Sequence, residues 1–319
     1  MDTLRKTGLS LVACIATLLA AVPSAHGRDA ETGTTGGAAW KIIKTDASGQ
    51  TIVVDSPSLH CTDTVAVWTP SKKALRKAGI KDASEIPTLL LLHGRSGRSG
   101  RTSCWWNWSS QMDLQALSDE THFRIICPDG FPKSWYLDSV DPSGKRWRTF
   151  FWNELWPLLK SRYGLAPDRT FITGLSMGGH GAMNLFLDHP ELFRGAGSMS
   201  GVLNLAHSAS APKDTKSILG ITSPDDPAFQ KECAVNRIGR VKQVCGDAAR
   251  DKILVISCGD ADKHFVPTAW DFASACRKEG LRYILMISPG AHKWSCWVWT
   301  IRYHIDWFTQ AMNGGKLGE

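Results

Sequence analysis

One stretch constrains this chain more than any other. Thr170-Phe171-Ile172-Thr173-Gly174-Leu175-Ser176-Met177-Gly178-Gly179 reads as a short apolar strand, a tight turn bounded by glycines, and the start of a helix. A strand-to-helix turn this sharp lifts the central serine clear of the sheet. A Cβ at either flanking glycine would clash in so tight a turn. The helix predicted from about Met177 to Asp188 aims its unpaired N–H groups at the same point, where negative charge can be held. Gly-x-Ser-x-Gly alone recurs by chance. It gains weight where a strand and a helix flank it, and where an acid and a histidine follow at other strand ends.

The rest of the 319-residue chain supplies that frame. Gln50–Asp55 and Asp63–Trp68 are β-branched runs broken by turn residues, and predict the first antiparallel strands. Residues 71–85 are basic and polar and face solvent. Pro87–Leu92 is a continuous apolar run, as in a central strand buried on both faces. A helix is expected from Trp105 to Leu117, then a strand over Phe123–Cys127. Residues 149–163 have helical apolar spacing, with Pro157 implying a bend. Gly195–Ser200, Lys252–Ser257 and Arg282–Ser288 read as further strands, and Val266–Lys278 and Trp294–Met312 as helices. Residues 203–249 have little clear period and are expected to form a cap insertion over the site. Strands alternating with helices predict a mostly parallel sheet covered on both faces.

The first 27 residues read as an export signal. Arg5 and Lys6 precede an apolar run from Leu9 to Val22 of 14 residues, too short to span a bilayer comfortably. Ala25-His26-Gly27 then offers small residues for cleavage. A cleaved signal predicts a secreted or periplasmic protein with no stable membrane insertion, a flexible lead-in over residues 28–40 and a single domain over 41–319. Loss of Asp2, Arg5 and Lys6 lowers the net charge from +7 to +6, and that dispersed charge does not argue for nucleic acid. Nine cysteines become eight without Cys14. An even number in an exported protein predicts disulfide bonds, with Cys233–Cys245 as a local guess. Buried thiols are the plainer reading for Cys127 and Cys258, at strand ends. Of the 14 tryptophans, clusters at 105, 106 and 108 and at 294, 297 and 299 are read mostly as packing. The sharper reading is an aromatic-lined pocket or a sugar platform, and a minority are read as lining a pocket.

Serine needs a base within hydrogen-bond reach, and the base needs an orienting acid. In an open parallel sheet the loops at the carboxyl ends of the strands face one crevice. His292, directly after the last strand, is the base expected there; His264 and His304 are rivals. Cys258-Gly259-Asp260-Ala261-Asp262 follows the preceding strand, with Asp262 preferred and Asp260 second as the acid. The order Ser, Asp, His is that of an α/β-hydrolase. The backbone N–H groups of Met177 and Arg95 are the expected oxyanion donors, and losing one such donor typically costs about 3 kcal/mol of transition-state stabilisation. Arg95, Arg98 and Arg101 recur beside that loop. They read first as a solvated surface, and second as an attractor of anionic substrates.

His93-Gly94, Ser134–Ser139 (Ser-Trp-Tyr-Leu-Asp-Ser), Gly174–Gly181 (Gly-Leu-Ser-Met-Gly-Gly-His-Gly), Gly197–Gly201 (Gly-Ser-Met-Ser-Gly) and Pro289-Gly-Ala-His292-x-Trp294 fall in one order. Together they resemble the esterase D / tributyrin esterase family of α/β-hydrolases, relatives of S-formylglutathione hydrolases and mycolyltransferases. The resemblance covers roughly residues 50–312. It implies a Ser176–His292–Asp262 triad and carboxylic ester hydrolysis without metal or cofactor. With export, the expected substrates are short-chain acyl esters or acylated carbohydrates. Acyl transfer to a sugar or lipid alcohol and a formylglutathione-type thioesterase are alternatives. A carbohydrate-binding protein on an inactive hydrolase fold is the non-enzymatic one.

Overall fold

Among the described residues ten strands form one mixed sheet. They are β1 (Thr32–Thr35), β2 (Ala38–Asp46), β3 (Gly49–Ser56), β4 (Cys61–Trp68), β5 (Thr88–Leu92), β6 (Arg124–Pro128), β7 (Thr170–Gly174), β8 (Gly195–Met199), β9 (Ile253–Gly259) and β10 (Tyr283–Ser288). The computed structural model describes residues 31–46, 49–96, 103–205 and 211–314. The export signal, Arg98 and Arg101 lie outside them. The strand order is β1-β2-β3-β4-β6-β5-β7-β8-β9-β10. Pairing is antiparallel from β1 to β4 and between β4 and β6. It is parallel from β6 through β5, β7, β8 and β9 to β10.

The parallel strands β5 to β9 are buried on both faces, which is why they run largely apolar without alternation, while β10 at the sheet edge is half-buried. In β5, Leu90 and Leu92 pack with Ile172 and Phe186 on one face. Leu89 and Leu91 pack with Phe171 and Phe308 on the other. Each such fully buried side chain stabilises the fold by about 1.5–3 kcal/mol relative to exposure. The helix Met177–Asp188 covers the first face and the closing helix Trp294–Met312 the second. No helix among the described residues is long and apolar enough to cross a membrane.

Several expectations shift. The segment read as a flexible lead-in carries β1 and the start of β2, and the compact unit begins at Glu31. Its alternating Thr and Gly make a half-exposed edge strand, pinned where Arg162 pairs with Glu31 and the Trp40 indole donates to Thr35. The helix expected from Trp105 starts instead at Leu114, because the Asp113 carboxylate accepts the Ala116 N–H and caps it. At Pro157 the disturbance takes the form of a widened turn: Phe151–Leu155 is π-helical between the α-helical Trp147–Phe150 and Trp156–Tyr163. Proline lacks the N–H that would close an ordinary turn, and the helix widens ahead of it.

The expected disulfides are not formed among the described residues. Cys245 is a free thiol, so no Cys233–Cys245 bridge exists. Cys127, Cys258 and Cys276 are buried on separate elements and pack as small apolar groups. Burial raises all three thiols, Cys258 to about 12.

The 203–249 segment holds the helices Ala211–Leu219, Pro227–Lys231 and Arg240–Cys245. Its root is a buried charge network. Arg148 grips Glu232 through two bonds of 3.0 and 2.6 Å, and Arg237 pairs with Asp188 at 2.5 Å. Burial pushes the Glu232 carboxyl up, but the Arg148 guanidinium outweighs it and holds the group below its ordinary value. Breaking such a pair by removing one partner typically costs about 3–5 kcal/mol.

Candidate active site

Ser176 occupies the turn between β7 and the helix that starts at Met177. Its backbone is left-handed, with φ 51° and ψ −117°, a conformation an L-residue adopts only where its surroundings impose it. They do so through hydrogen bonds: Ser176 N–H donates to Met199 O at 2.9 Å, and Gly178 N–H to Leu175 O at 2.7 Å. A Cβ on Gly174 would come within 2.5 Å of Gly178 O, and one on Gly178 within 2.5 Å of Leu92 O. The turn therefore closes only with glycine at both positions.

Three loops at the carboxyl ends of β7, β9 and β10 bring the expected side chains together. His292 Nε2 lies 2.9 Å from Ser176 Oγ, and His292 Nδ1 lies 2.7 Å from Asp262 Oδ2. Asp262 is only 3% exposed, while the imidazole is 32% exposed, so the acid is shielded and the base can be reached. Asp260, the competing carboxylate, faces elsewhere and accepts the Gly290 N–H at 3.1 Å. It ties the loop after β9 to the loop that carries His292. The imidazole is stacked on Phe265 at 4.1 Å and 17°, and meets Trp297 edge-on at 4.8 Å. Those two contacts fix the ring plane.

The rival histidines are placed apart from Ser176. His264 is exposed, two residues ahead of the helix Val266–Lys278. His304 is fully buried within the closing helix, between Thr173 Oγ1 at 3.0 Å and Ser257 Oγ at 2.9 Å.

The loop after β5 approaches the serine closely: a Cβ on Gly94 would sit 3.5 Å from Ser176 Cβ. His93 fixes this loop, a part that sequence reasoning missed. Its Nε2 accepts the Gly130 N–H at 2.8 Å, which leaves the ring proton on Nδ1 to bond Gly94 O at 2.8 Å. The His93 carbonyl accepts the Tyr136 hydroxyl at 2.8 Å. Because the C=O and N–H of one peptide point opposite ways, holding Gly94 O turns the Arg95 N–H outward from the His93 ring. Met177 N–H heads the elbow helix, where the first N–H groups have no intrahelical partner. The Arg95 side chain pairs with Asp214 of the helix Ala211–Leu219 at 2.5 Å, tying the insertion to this loop. The Ser-Trp-Tyr run in the sequence was the available signal for Tyr136; nothing local marked the His93 ring contact.

No group of three or more His, Cys, Asp or Glu among the described residues is placed to hold a metal ion. The arrangement is a hydroxyl, a base, a shielded carboxylate and a backbone loop in one crevice.

The family model described as "Putative esterase" matches residues 56–302. An acetyl esterase of Caldicellulosiruptor saccharolyticus is 25% identical over 242 residues, covering 73% of this chain and 86% of that one. Among solved structures, a ferulic acid esterase superposes with a TM-score of 0.63 at 22% identity, over 86% of this chain and 98% of the other. An S-formylglutathione hydrolase from Agrobacterium tumefaciens gives 0.64 at 20% identity, over 88% and 98%. With the match running from the end of β3 through β10 and all three loops, the chain belongs to the esterase family of α/β-hydrolases and is a carboxylic ester hydrolase.

Proposed function

We propose that this chain is an exported serine esterase that works through a Ser176–His292–Asp262 acyl-enzyme mechanism on short-chain acyl or acylated-carbohydrate esters. The observation that carries the reading is the unbroken line of hydrogen bonds from Ser176 Oγ through His292 to Asp262. Ser176 Oγ attacks the ester carbonyl while His292 Nε2 takes its proton. Asp262 keeps the other ring proton on Nδ1 and stabilises the imidazolium that forms. The Met177 and Arg95 N–H groups hold the oxyanion. His292 then protonates the leaving alcohol, and the acyl group remains on Ser176. Water enters, gives its proton to His292 and attacks the acyl carbon; collapse releases the acid and restores the hydroxyl.

The acetyl and ferulic acid esterases among the similar proteins support acetyl and feruloyl esters as candidate substrates. Export, read from residues 1–27, supports an extracellular ester. A hydrolysis screen over p-nitrophenyl acyl esters and acetylated or feruloylated sugars tests the substrate class, and fluorophosphonate labelling tests the nucleophile. Wild type should label and Ser176→Ala should not. Labelling that persists in Ser176→Ala would assign the nucleophile to another residue.

A further inference from the structure

A second concavity, of about 880 Å³, lies between the segment after Ser103 and the face of the antiparallel strands. Lys44, Thr51 and Ala66 are direct cross-strand partners on β2, β3 and β4, so their side chains share one face and form its floor. Trp68, two residues beyond Ala66, stands on that same face. Trp105 and Trp106, both half-buried, form the wall with Trp68. The polar rim is supplied by Asp113, Gln115 and Asp119. One oxygen of each carboxylate is engaged: Asp113 Oδ1 caps Ala116, and Asp119 Oδ1 accepts from Ser71 and Gln115. The Gln115 amide nitrogen is likewise engaged, with Thr69 O and Asp119. Among the described residues the second oxygen of each carboxylate and the Gln115 carbonyl accept no hydrogen bond, so acceptors remain for a ligand's hydroxyl groups.

We propose that this groove binds a neutral oligosaccharide. A pyranose ring presents an apolar C–H face that stacks on indole, and hydroxyl edges that donate to carboxylate and amide oxygens. Several indoles beside a row of acceptors supply both. Two carboxylates against one ammonium disfavour an anionic ligand. A simple acyl chain would leave the rim acceptors dehydrated without donors, which costs free energy. The groove is separate from the serine crevice; its Trp68 and Trp105 belong to the packed cluster that also holds Trp108, Trp294 and Trp297. Trp108 meets Trp294 edge-on at 5.1 Å, Trp294 meets Trp297 at 5.5 Å, and Trp297 meets His292. A glycan held there would tether an acylated polysaccharide to the enzyme. In that respect the assignment deepens the acylated-carbohydrate reading, though the two are tested separately.

The test is calorimetric titration of the full chain carrying Ser176→Ala with xylohexaose and, separately, cellohexaose. Saturable binding of at least one is expected, weakened at least tenfold by adding Trp105→Ala and Trp106→Ala. In the Ser176-intact background the same double substitution should leave p-nitrophenyl acetate hydrolysis within twofold, so loss of the groove and loss of catalysis register in different assays. Asp113→Asn is the second variant. Asparagine still caps the helix, so melting should not change while binding falls several-fold. Failure of both hexasaccharides to bind overturns the proposal, as does binding that survives these substitutions. Saturable binding of dodecanoate, lost in the tryptophan variant, would assign the groove to acyl chains and overturn it too.

Discussion

Among the described residues two histidines meet hydroxyl groups at hydrogen-bond distance, and only one of them has the surroundings a base needs. His292 sits at the loop ends, 2.9 Å from Ser176 Oγ, with a carboxylate 2.7 Å behind it and a third of its side chain exposed. His304 lies inside the sheet–helix layer, between Thr173 and Ser257 at similar distances. No charged group offsets its burial, and burial alone lowers its pKa to about 3. A Ser–His contact is therefore not sufficient. Proton transfer to imidazole creates a cation, and only at His292 is there an anion to stabilise it and an opening through which an ester can arrive.

The largest expected effect separates the two directly. Ser176→Ala and His292→Ala should each lower kcat/KM for p-nitrophenyl acetate by about 10⁴-fold or more, and the double variant should be little worse than either, because the pair acts as a unit. His304→Gln should leave kcat/KM of the folded protein within about threefold while lowering its melting temperature. Loss of turnover in a His304→Gln protein that still labels with fluorophosphonate would break the comparison.

The next effect distinguishes the two aspartates. Asp262→Asn removes the charge that stabilises the imidazolium and offers the ring an NH2 that favours the wrong tautomer, and a drop of about 10³–10⁴-fold in kcat is expected. Asp260→Asn should cost less than about tenfold, since Asp260 only anchors Gly290 and asparagine can still accept that N–H. Reversal of this order in steady-state kinetics would move the acid to Asp260. Smaller again is His93→Ala. It frees the Gly94 carbonyl and so loosens the Arg95 N–H; a kcat loss of about 10–100-fold with little change in KM is expected, bounded by the roughly 3 kcal/mol of one oxyanion donor.

Much of the site was legible because its geometry demands unusual residues. Only glycine fits two residues before and two after Ser176, and a buried parallel strand has to be largely apolar, so β5, β7 and β9 announce their ends and the loops that follow. Position after a strand end then separates His292 from His304 without coordinates. What the sequence concealed depends on long-range pairing. β1 is Thr-Gly-Thr-Thr, which has no apolar period and becomes a strand only because β2 is there to pair with it. The even cysteine count suggested bridges, but Cys127, Cys258 and Cys276 are dispersed through the core by the chain's folding. The ring of His93 acts through Gly130, which is 37 residues away.

The last effect is on stability rather than turnover, and it tests whether His304 is structural. Its folded pKa, about 3, lies below the roughly 6.5 of an unfolded histidine. Above pH 6.5 the ring is neutral in both states and contributes no pH dependence. Between about pH 6.5 and 3 the unfolded chain takes up a proton that the folded chain refuses, so stability falls as pH falls, by up to about 1.4 kcal/mol per pH unit for this one group. His180, buried beside Trp135 and lowered to about 4 mainly by burial, adds a second slope of the same sign over a shorter range. Thermal melts from pH 8 to pH 4 should therefore show His304→Gln to be the less stable protein at pH 8, by about 1–3 kcal/mol for the two buried hydroxyl contacts it disturbs. The gap to wild type should narrow as the solution is acidified, with His180 leaving part of the slope in both proteins. Parallel melting curves across that range would mean that folding leaves the proton uptake of His304 unchanged, and the contrast with His292 would fail.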